Sequence, residues 1–238
     1  MTRPTAERGS RSRDPAAWEE RIRDARGRRV VFLAHCLLNE NTRYLGGAMR
    51  GGAIREIVEP CLRHEIGIVQ LPCPEQHAWG GVLKRRLLLF FGARGRLRYR
   101  LRGALLPVML WYTARVYRRL AREVATQIQD YERAGVAVLG IVGVDASPSC
   151  GVQKTLDVAE ALDRLGRLER DAATADAVNA IIRATAVAGR GLYVDLLTKE
   201  LAARGLSVPL IAHDLVAELD GKGSTADVES LLGAAVRT

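Results

Sequence analysis

The sequence predicts an α/β protein with a Rossmann-like parallel sheet and helices on both faces of that sheet. Short apolar, β-branched runs alternate along the chain with longer amphipathic segments, which is typical of parallel sheets. The 238 residues fit one such domain, and 48% hydrophobic with 26% charged residues is a globular composition. We therefore predict a single domain over residues 29–219, between a polar N-terminal tail over 1–28 and a C-terminal tail over 220–238.

Four apolar runs are predicted to form the strands. Each is short and rich in aliphatic residues, as expected for strands that are buried on both faces. They cover residues 29–35, 66–71, 136–144 and 207–212. Open parallel sheets bind their ligands beyond the carboxyl ends of the strands, so we expect the functional site, and any metal, at that edge.

Amphipathic periodicity of about 3.6 residues predicts helices between and after these strands. The predicted helices cover residues 16–26, 53–64, 118–134, 155–165, 171–188 and 192–204. Two more are predicted over 87–91 and 105–117, separate from the helix that follows, because glycines and Pro107 interrupt the pattern. The segment 39–52, with its asparagines and glycine pairs, is predicted to be a loop.

The positive charge of the chain is concentrated in a basic insertion over residues 84–122. The insertion holds 12 of the 36 Lys and Arg residues and no acidic residue, whereas the rest of the chain has a net charge of −3. Its cations are Lys84, Arg85, Arg86, Arg94, Arg96, Arg98, Arg100, Arg102, Arg115, Arg118, Arg119 and Arg122. Such a stripe indicates an anionic partner, either nucleic acid or a membrane surface, although a solvated arginine-rich face gives the same pattern.

No transmembrane segment or secretory signal is expected. The longest nearly apolar stretch, residues 103–114, is too short to span a bilayer, and the first 29 residues contain no apolar run. Four cysteines in a chain of this length do not form a disulfide scaffold. We therefore expect a cytoplasmic protein whose cysteines are core residues, nucleophiles or metal ligands.

Three of the four cysteines follow predicted strands. Cys36 follows the first strand, Cys73 the second and Cys150 the third, whereas Cys61 lies within the predicted helix over 53–64. Parallel strands end at the same edge of a sheet, so the first three thiols should converge. Cys61 is predicted to be a packed core thiol.

Converged thiols at such an edge can carry three kinds of chemistry. They can hold zinc, with His35 or His77 as a fourth ligand, or an iron–sulfur cluster with one iron left open. Alternatively, Cys73 or Cys150 can act as a nucleophile that a histidine activates. The spacing of the cysteines leaves these three interpretations open.

Glu75 is a candidate catalytic residue next to these thiols. Glu75 follows Cys73 and Pro74, where a carboxylate can act as a general base. Ser147 begins the segment Ser-Pro-Ser-Cys-Gly over 147–151, just ahead of the predicted helix over 155–165. The N-terminus of that helix would favour an anionic cluster at Cys150.

Together these motifs resemble the 2-thiouracil desulfidase family. The resemblance covers residues 30–155 and rests on Cys36-Leu37-Leu38 with Arg43-Tyr44, on Cys73-Pro74-Glu75, and on Ser147-Pro148-Ser149-Cys150-Gly151. It implies that Cys36, Cys73 and Cys150 hold a [4Fe-4S] cluster whose fourth iron is free to bind the sulfur of the substrate. It also implies a catalytic role for Glu75, with Ser147 assisting. The chain departs from the family at Asn39, and the basic insertion replaces the family's segment after Gly80-Gly81.

The resemblance further implies a desulfidase that converts C=S to C=O in a thiolated nucleobase or nucleoside. Arg43, Tyr44, His77 and Ser149 are predicted to contact this substrate, which the basic insertion suggests is phosphorylated or RNA-borne. His213, after the last strand, is a further candidate. The alternative is a non-catalytic iron–sulfur or zinc protein that binds RNA or an anionic surface through residues 84–122.

Overall fold

The computed structural model describes residues 18, 21–22, 24–87, 101–222, 228–230 and 232–233. The main sheet consists of four parallel strands in the order β2-β1-β3-β6, with helices around it. These strands are β1 (Arg29–Leu33), β2 (Gly67–Gln70), β3 (Ala137–Asp145) and β6 (Leu210–Asp214). The parallel order confirms the predicted Rossmann-like α/β fold.

Helices connect these strands. They are α1 (His35–Leu38), α2 (Arg55–Arg63), α3 (Pro74–Trp79), α4 (Arg102–Arg133), α5 (Val158–Arg167), α6 (Ala175–Thr185), α7 (Leu192–Ala202) and α8 (Leu215–Leu219). Short 3-10 helices cover Glu40–Thr42 and Arg170–Ala172. In the described part of the chain, no helix is both long and apolar enough to cross a membrane.

The order of the strands reverses between β1 and β3. From β1 the chain moves to β2 on one side, and it then returns to β3 on the other side. Leu33 at the end of β1 is in register with Gln70 of β2 and Val142 of β3. β1 and β2 therefore end together, β3 continues three residues further to Asp145, and the reversal of strand order between β1 and β3 creates the kind of crevice in which such sheets bind ligands.

The core is built on β1 and β3. Phe32 and Ile141 are completely buried, and α4 packs on β3 and against α7. Tyr117 of α4 and Tyr193 of α7 meet edge to face, with their ring centroids 6.2 Å apart. Outside the predicted domain boundary, Val228 and Leu232 are also buried in this core, although the sequence analysis assigns them to a tail.

Four predicted helices differ in the structure. The predicted helices over 105–117 and 118–134 are one helix, α4, because Pro107 lies in its second turn, where it removes a single backbone hydrogen bond. The predicted helices over 155–165 and 171–188 lose their outer ends to an antiparallel pair, β4 (Lys154–Leu156) and β5 (Ala186–Ala188). Five residues of the predicted helix over 16–26 lie outside the described residues, and 24–26 are not helical; residues 88–91 lie wholly outside the described residues.

Candidate functional site

A cavity of about 130 Å³ lies at the carboxyl ends of β1, β2 and β3. Cys36, Cys73 and Cys150 all line it, together with Glu75. Ser147 and Ser149 also line it, and apolar side chains of α5 and α6 complete the lining: Val158, Ala161, Leu162, Leu165 and Ile182. The structure thus brings the three predicted ligands and the predicted catalytic residues to one cavity.

Strand pairing and helix starts position the first two thiols. Cys36 lies in α1, directly after β1, where the N–H of Ala34 donates to the carbonyl of Val142 at 2.9 Å. Cys73 is the residue before α3, and Pro74 occupies the first position of that helix, where its missing N–H costs nothing. Cys61, in contrast, is buried within α2 and its thiol lies 3.3 Å from the carbonyl of Ile57.

The loop that carries Cys150 is held from two sides. Ser147 Oγ accepts hydrogen bonds from the N–H groups of Cys150, at 3.0 Å, and Ser149, at 3.3 Å. At the start of α7, the N–H of Tyr193 donates to the carbonyl of Ser149 at 3.1 Å. A Cβ on Gly191 would lie 2.4 Å from that carbonyl oxygen, so only glycine permits this approach.

The prediction that Cys150 precedes a helix N-terminus is wrong. The loop runs into β4 first, and α5 begins only at Val158. The amphipathic pattern predicts a helix from residue 155, but Lys154–Leu156 is a strand because it pairs with β5, 32 residues further along the chain. Local propensity does not reveal such a distant partner. The backbone of the Cys150 loop is instead anchored by α7.

Burial raises the pKa of all three thiols. Burial raises the pKa of Cys36 to about 11, and burial together with the charge of Glu75 raises that of Cys73 to about 12. Burial raises the pKa of Cys150 as well, and its thiolate would also be repelled by those of Cys36 and Cys73. Burial and mutual repulsion therefore keep these thiols protonated unless a positive group lies beside them.

Within the described residues, no three His, Cys, Asp or Glu side chains are grouped as ligands of a single metal ion. Cys36, Cys73 and Cys150 share the cavity wall without forming such a group.

Glu75 is held by hydroxyl groups of the Cys150 loop. Ser149 Oγ donates to Glu75 Oε1 at 2.8 Å, and Ser147 Oγ lies 3.4 Å from the same oxygen. Ser149 Oγ also lies 3.7 Å from the thiol of Cys150. The carboxylate and the loop that carries one predicted ligand are thus directly linked.

Lys84 is a site residue that sequence reasoning missed. Its ammonium is buried, donates to the carbonyl of Thr42 at 2.6 Å and lies 3.5 Å from Glu75 Oε2. It lines the same cavity as the cysteines. In the sequence it is the first of twelve cations, and nothing in that pattern separates a buried lysine from its exposed neighbours.

Arg43 lies in the cavity wall within a buried ion network. Its guanidinium lies 3.0 Å from Glu218 Oε2 and 3.5 Å from Glu40 Oε1. Glu218 Oε2 also contacts His213 Nε2 at 2.9 Å. Arg43 Nε is buried and has no hydrogen-bond partner among the described residues. His213 is not brought to the cavity.

Of the other predicted substrate contacts, Tyr44 and Ser149 line the cavity and His77 does not. Tyr44 lines the cavity, and its hydroxyl donates to Asn179 Oδ1 at 2.8 Å, which holds the ring in place. Ser149 lines the cavity as predicted. His77 does not, because it is exposed on α3 and lines a different cavity beside α4. His35 lines the site, and its Nδ1 is 2.8 Å from Gln70 Nε2.

Residues 88–100 of the basic insertion lie outside the described residues. Arg94, Arg96, Arg98 and Arg100 lie outside the described residues, and so does the side chain of Arg102. In the described part, Arg85 and Arg86 are exposed, as are the four arginines of α4 from Arg115 to Arg122.

Comparison with known proteins gives one relative and no function. The chain is 26% identical over 135 residues to the uncharacterized protein MJ0003 of Methanocaldococcus jannaschii, covering 54% of this chain and 71% of that protein. No family model and no solved structure matches the chain.

Proposed function

We propose that this protein is an iron–sulfur-dependent desulfidase that converts the C=S group of a small thiolated compound to C=O. The observation that carries the proposal is the cavity at the ends of β1, β2 and β3. It is lined by three thiols from separate strand ends and by the hydrogen-bonded pair Glu75 and Ser149. The motif resemblance to the 2-thiouracil desulfidases supports the same chemistry.

Cys36, Cys73 and Cys150 are the proposed ligands of a [4Fe-4S] cluster. Their burial and mutual repulsion as thiolates fit a cationic iron centre that replaces their protons. If bound by these three thiolates, such a cluster would supply an open iron, a Lewis acid that polarises a soft thiocarbonyl sulfur.

Glu75 is the proposed general base. Its Oε1 accepts the hydroxyl of Ser149 while the Lys84 ammonium lies near Oε2, so the carboxylate is fixed in the cavity. It removes a proton from water, and the hydroxide adds to the thiocarbonyl carbon. In the balanced reaction, the thiocarbonyl and one water give the carbonyl and one hydrogen sulfide, with no net oxidation or reduction.

The lining of the cavity indicates the kind of substrate. The cavity wall combines apolar side chains of α5 and α6 with polar groups of Glu75 and the Cys150 loop. A flat heterocycle buries apolar surface against such a wall, and Arg43 also lines the cavity. We propose a thiolated nucleobase or nucleoside as the substrate and the reducing cytoplasm as the compartment, since the cysteines are free thiols.

The test is sulfide release from a panel of thiolated bases, nucleosides and nucleotides by protein with a reconstituted cluster. We expect turnover of at least one compound, and Glu75→Gln should lower it roughly 100-fold without loss of iron, the usual size of a general-base contribution. Glu59→Gln, at an exposed glutamate of α2, is the matched control and should leave turnover unchanged. Absence of sulfide release across the panel, or normal turnover by Glu75→Gln, would overturn the proposal.

A further inference from the structure

The first part of α4 presents large apolar side chains to solvent. Val108 is 62% exposed and Trp111 is 65% exposed, and Leu101, directly before the helix, is 48% exposed. Leu110 and Tyr112 are exposed in the same segment. Single exposed apolar residues are ordinary, but a contiguous group on one helix indicates an interaction surface.

The exposed apolar residues share a helix face with four arginines. Steps of three or four residues lead from Val108 through Tyr112, Arg115 and Arg119 to Arg122, so these side chains form one stripe along α4. With its immediate neighbours, this α4 stripe consists of Val108, Trp111, Tyr112, Arg115, Arg118, Arg119 and Arg122. It is apolar in its first half and basic in its second.

The opposite face of α4 packs into the domain. Tyr117, Leu120, Val124 and Ile128 are buried there, and α4 contacts β3 and α7. These positions are about half a helical turn away from the α4 stripe, given 3.6 residues per turn. The stripe is therefore turned away from the core.

The basic half of the stripe lines a wide cavity of about 570 Å³ beside His77. Arg119 lies 3.4 Å from Glu123 and Arg122 lies 3.0 Å from Glu200. The arginine side chains of these pairs are more than 60% exposed, so the pairs hold them weakly. Among the described residues, no carboxylate is within ion-pair distance of Arg115 or Arg118.

We propose that the α4 stripe binds an anionic membrane surface. In this arrangement Val108 and Trp111 enter the boundary between headgroups and acyl chains, and the arginines contact lipid phosphates. Charge complementarity selects this partner, since no acidic residue occurs between Lys84 and Arg122. A second copy of the chain would bring like charges together, and RNA would leave Val108 and Leu101 without an apolar partner.

Vesicle co-sedimentation of the full chain tests this surface. We expect binding to phosphatidylcholine vesicles that contain phosphatidylglycerol, weak binding to pure phosphatidylcholine, and a decrease with salt. Arg115→Gln with Arg118→Gln should weaken binding about 25-fold, or about fivefold for each charge. Val108→Ser with Trp111→Ser should weaken it at least about tenfold.

Leu62→Ser with Arg63→Gln provides the matched control, since both residues are exposed on α2. This variant should bind vesicles like the unaltered chain. A second readout is quenching of Trp111 fluorescence by lipids brominated on their acyl chains, which should disappear in Trp111→Phe. The proposal fails if neither vesicle type binds, or if the α4 variants bind as well as the control. It also fails if Trp111→Ser leaves vesicle binding unchanged but abolishes a concentration-dependent dimer or the binding of RNA.

Discussion

Ser149 Oγ donates a 2.8 Å hydrogen bond to Oε1 of Glu75, a residue 74 positions earlier in the chain. The bond joins the start of α3, after β2, to the loop after β3. Each of these segments also carries one of the three cavity thiols, Cys73 or Cys150. The carboxylate proposed as the base is thus oriented by the same loop that presents a proposed cluster ligand.

Removing this hydrogen bond should affect the proposed base without affecting the proposed cluster ligands. We expect Ser149→Ala to retain its iron and to lower kcat about tenfold or more, the scale of a hydrogen bond to a charged group. Ser147→Ala is the informative partner, because Ser147 Oγ accepts the N–H of Cys150. It should lose iron as well as activity. Iron analysis beside steady-state kinetics distinguishes the two, and equal iron loss in both variants would assign Ser149 a structural role only.

The close contact at Gly191 should make it intolerant of substitution. A Cβ there would lie 2.4 Å from the carbonyl oxygen of Ser149, so Gly191→Ala must displace the Cys150 loop or the start of α7. We expect a loss of about 2 kcal/mol in the free energy of unfolding, together with poor iron retention. Gly103→Ala in α4, where nothing lies within 4 Å of an added Cβ, should be neutral or slightly stabilising. Urea unfolding of both variants gives the comparison.

The buried network at Glu218 predicts a stability change with a defined pH window. Burial alone would raise the pKa of Glu218, but the hydrogen bond with His213 and the charge of Arg43 outweigh it and lower the pKa to about 2. Because the ordinary value is 4.5, this contribution to stability is complete above pH 4.5 and is lost as the pH falls toward 2.

Glu218→Gln should therefore cost about 3 kcal/mol at pH 7, since it leaves Arg43 buried without its nearest carboxylate. The difference from the unaltered chain should shrink as the pH falls toward 2. Glu160→Gln, which removes an exposed partner of Arg164, should change stability by less than about 0.5 kcal/mol across the same range. A pH-independent effect of Glu218→Gln would show that packing, and not charge, explains the loss.

The sequence is sufficient to predict the sheet and the presence of Cys36, Cys73 and Cys150 at one edge of it. Apolar runs mark buried strands, and parallel strands deliver the residues that follow them to one edge. Lys84 and Gly191 could not be predicted, because their importance lies in contacts with residues far away in the sequence. The same holds for β4, whose partner strand β5 decides its conformation. Arg43 was correctly placed at the site, but the ion network that holds it depends on Glu218, 175 residues further on.

Iron content after purification without oxygen tests the central claim most directly. The account predicts a brown protein with close to four irons per chain, as expected for a [4Fe-4S] cluster. Cys36→Ser, Cys73→Ser and Cys150→Ser should each lose the iron, and Cys61→Ser, at the core thiol of α2, should keep it. A colourless protein with stoichiometric zinc, or iron that survives substitution of the three cavity cysteines, would contradict the account.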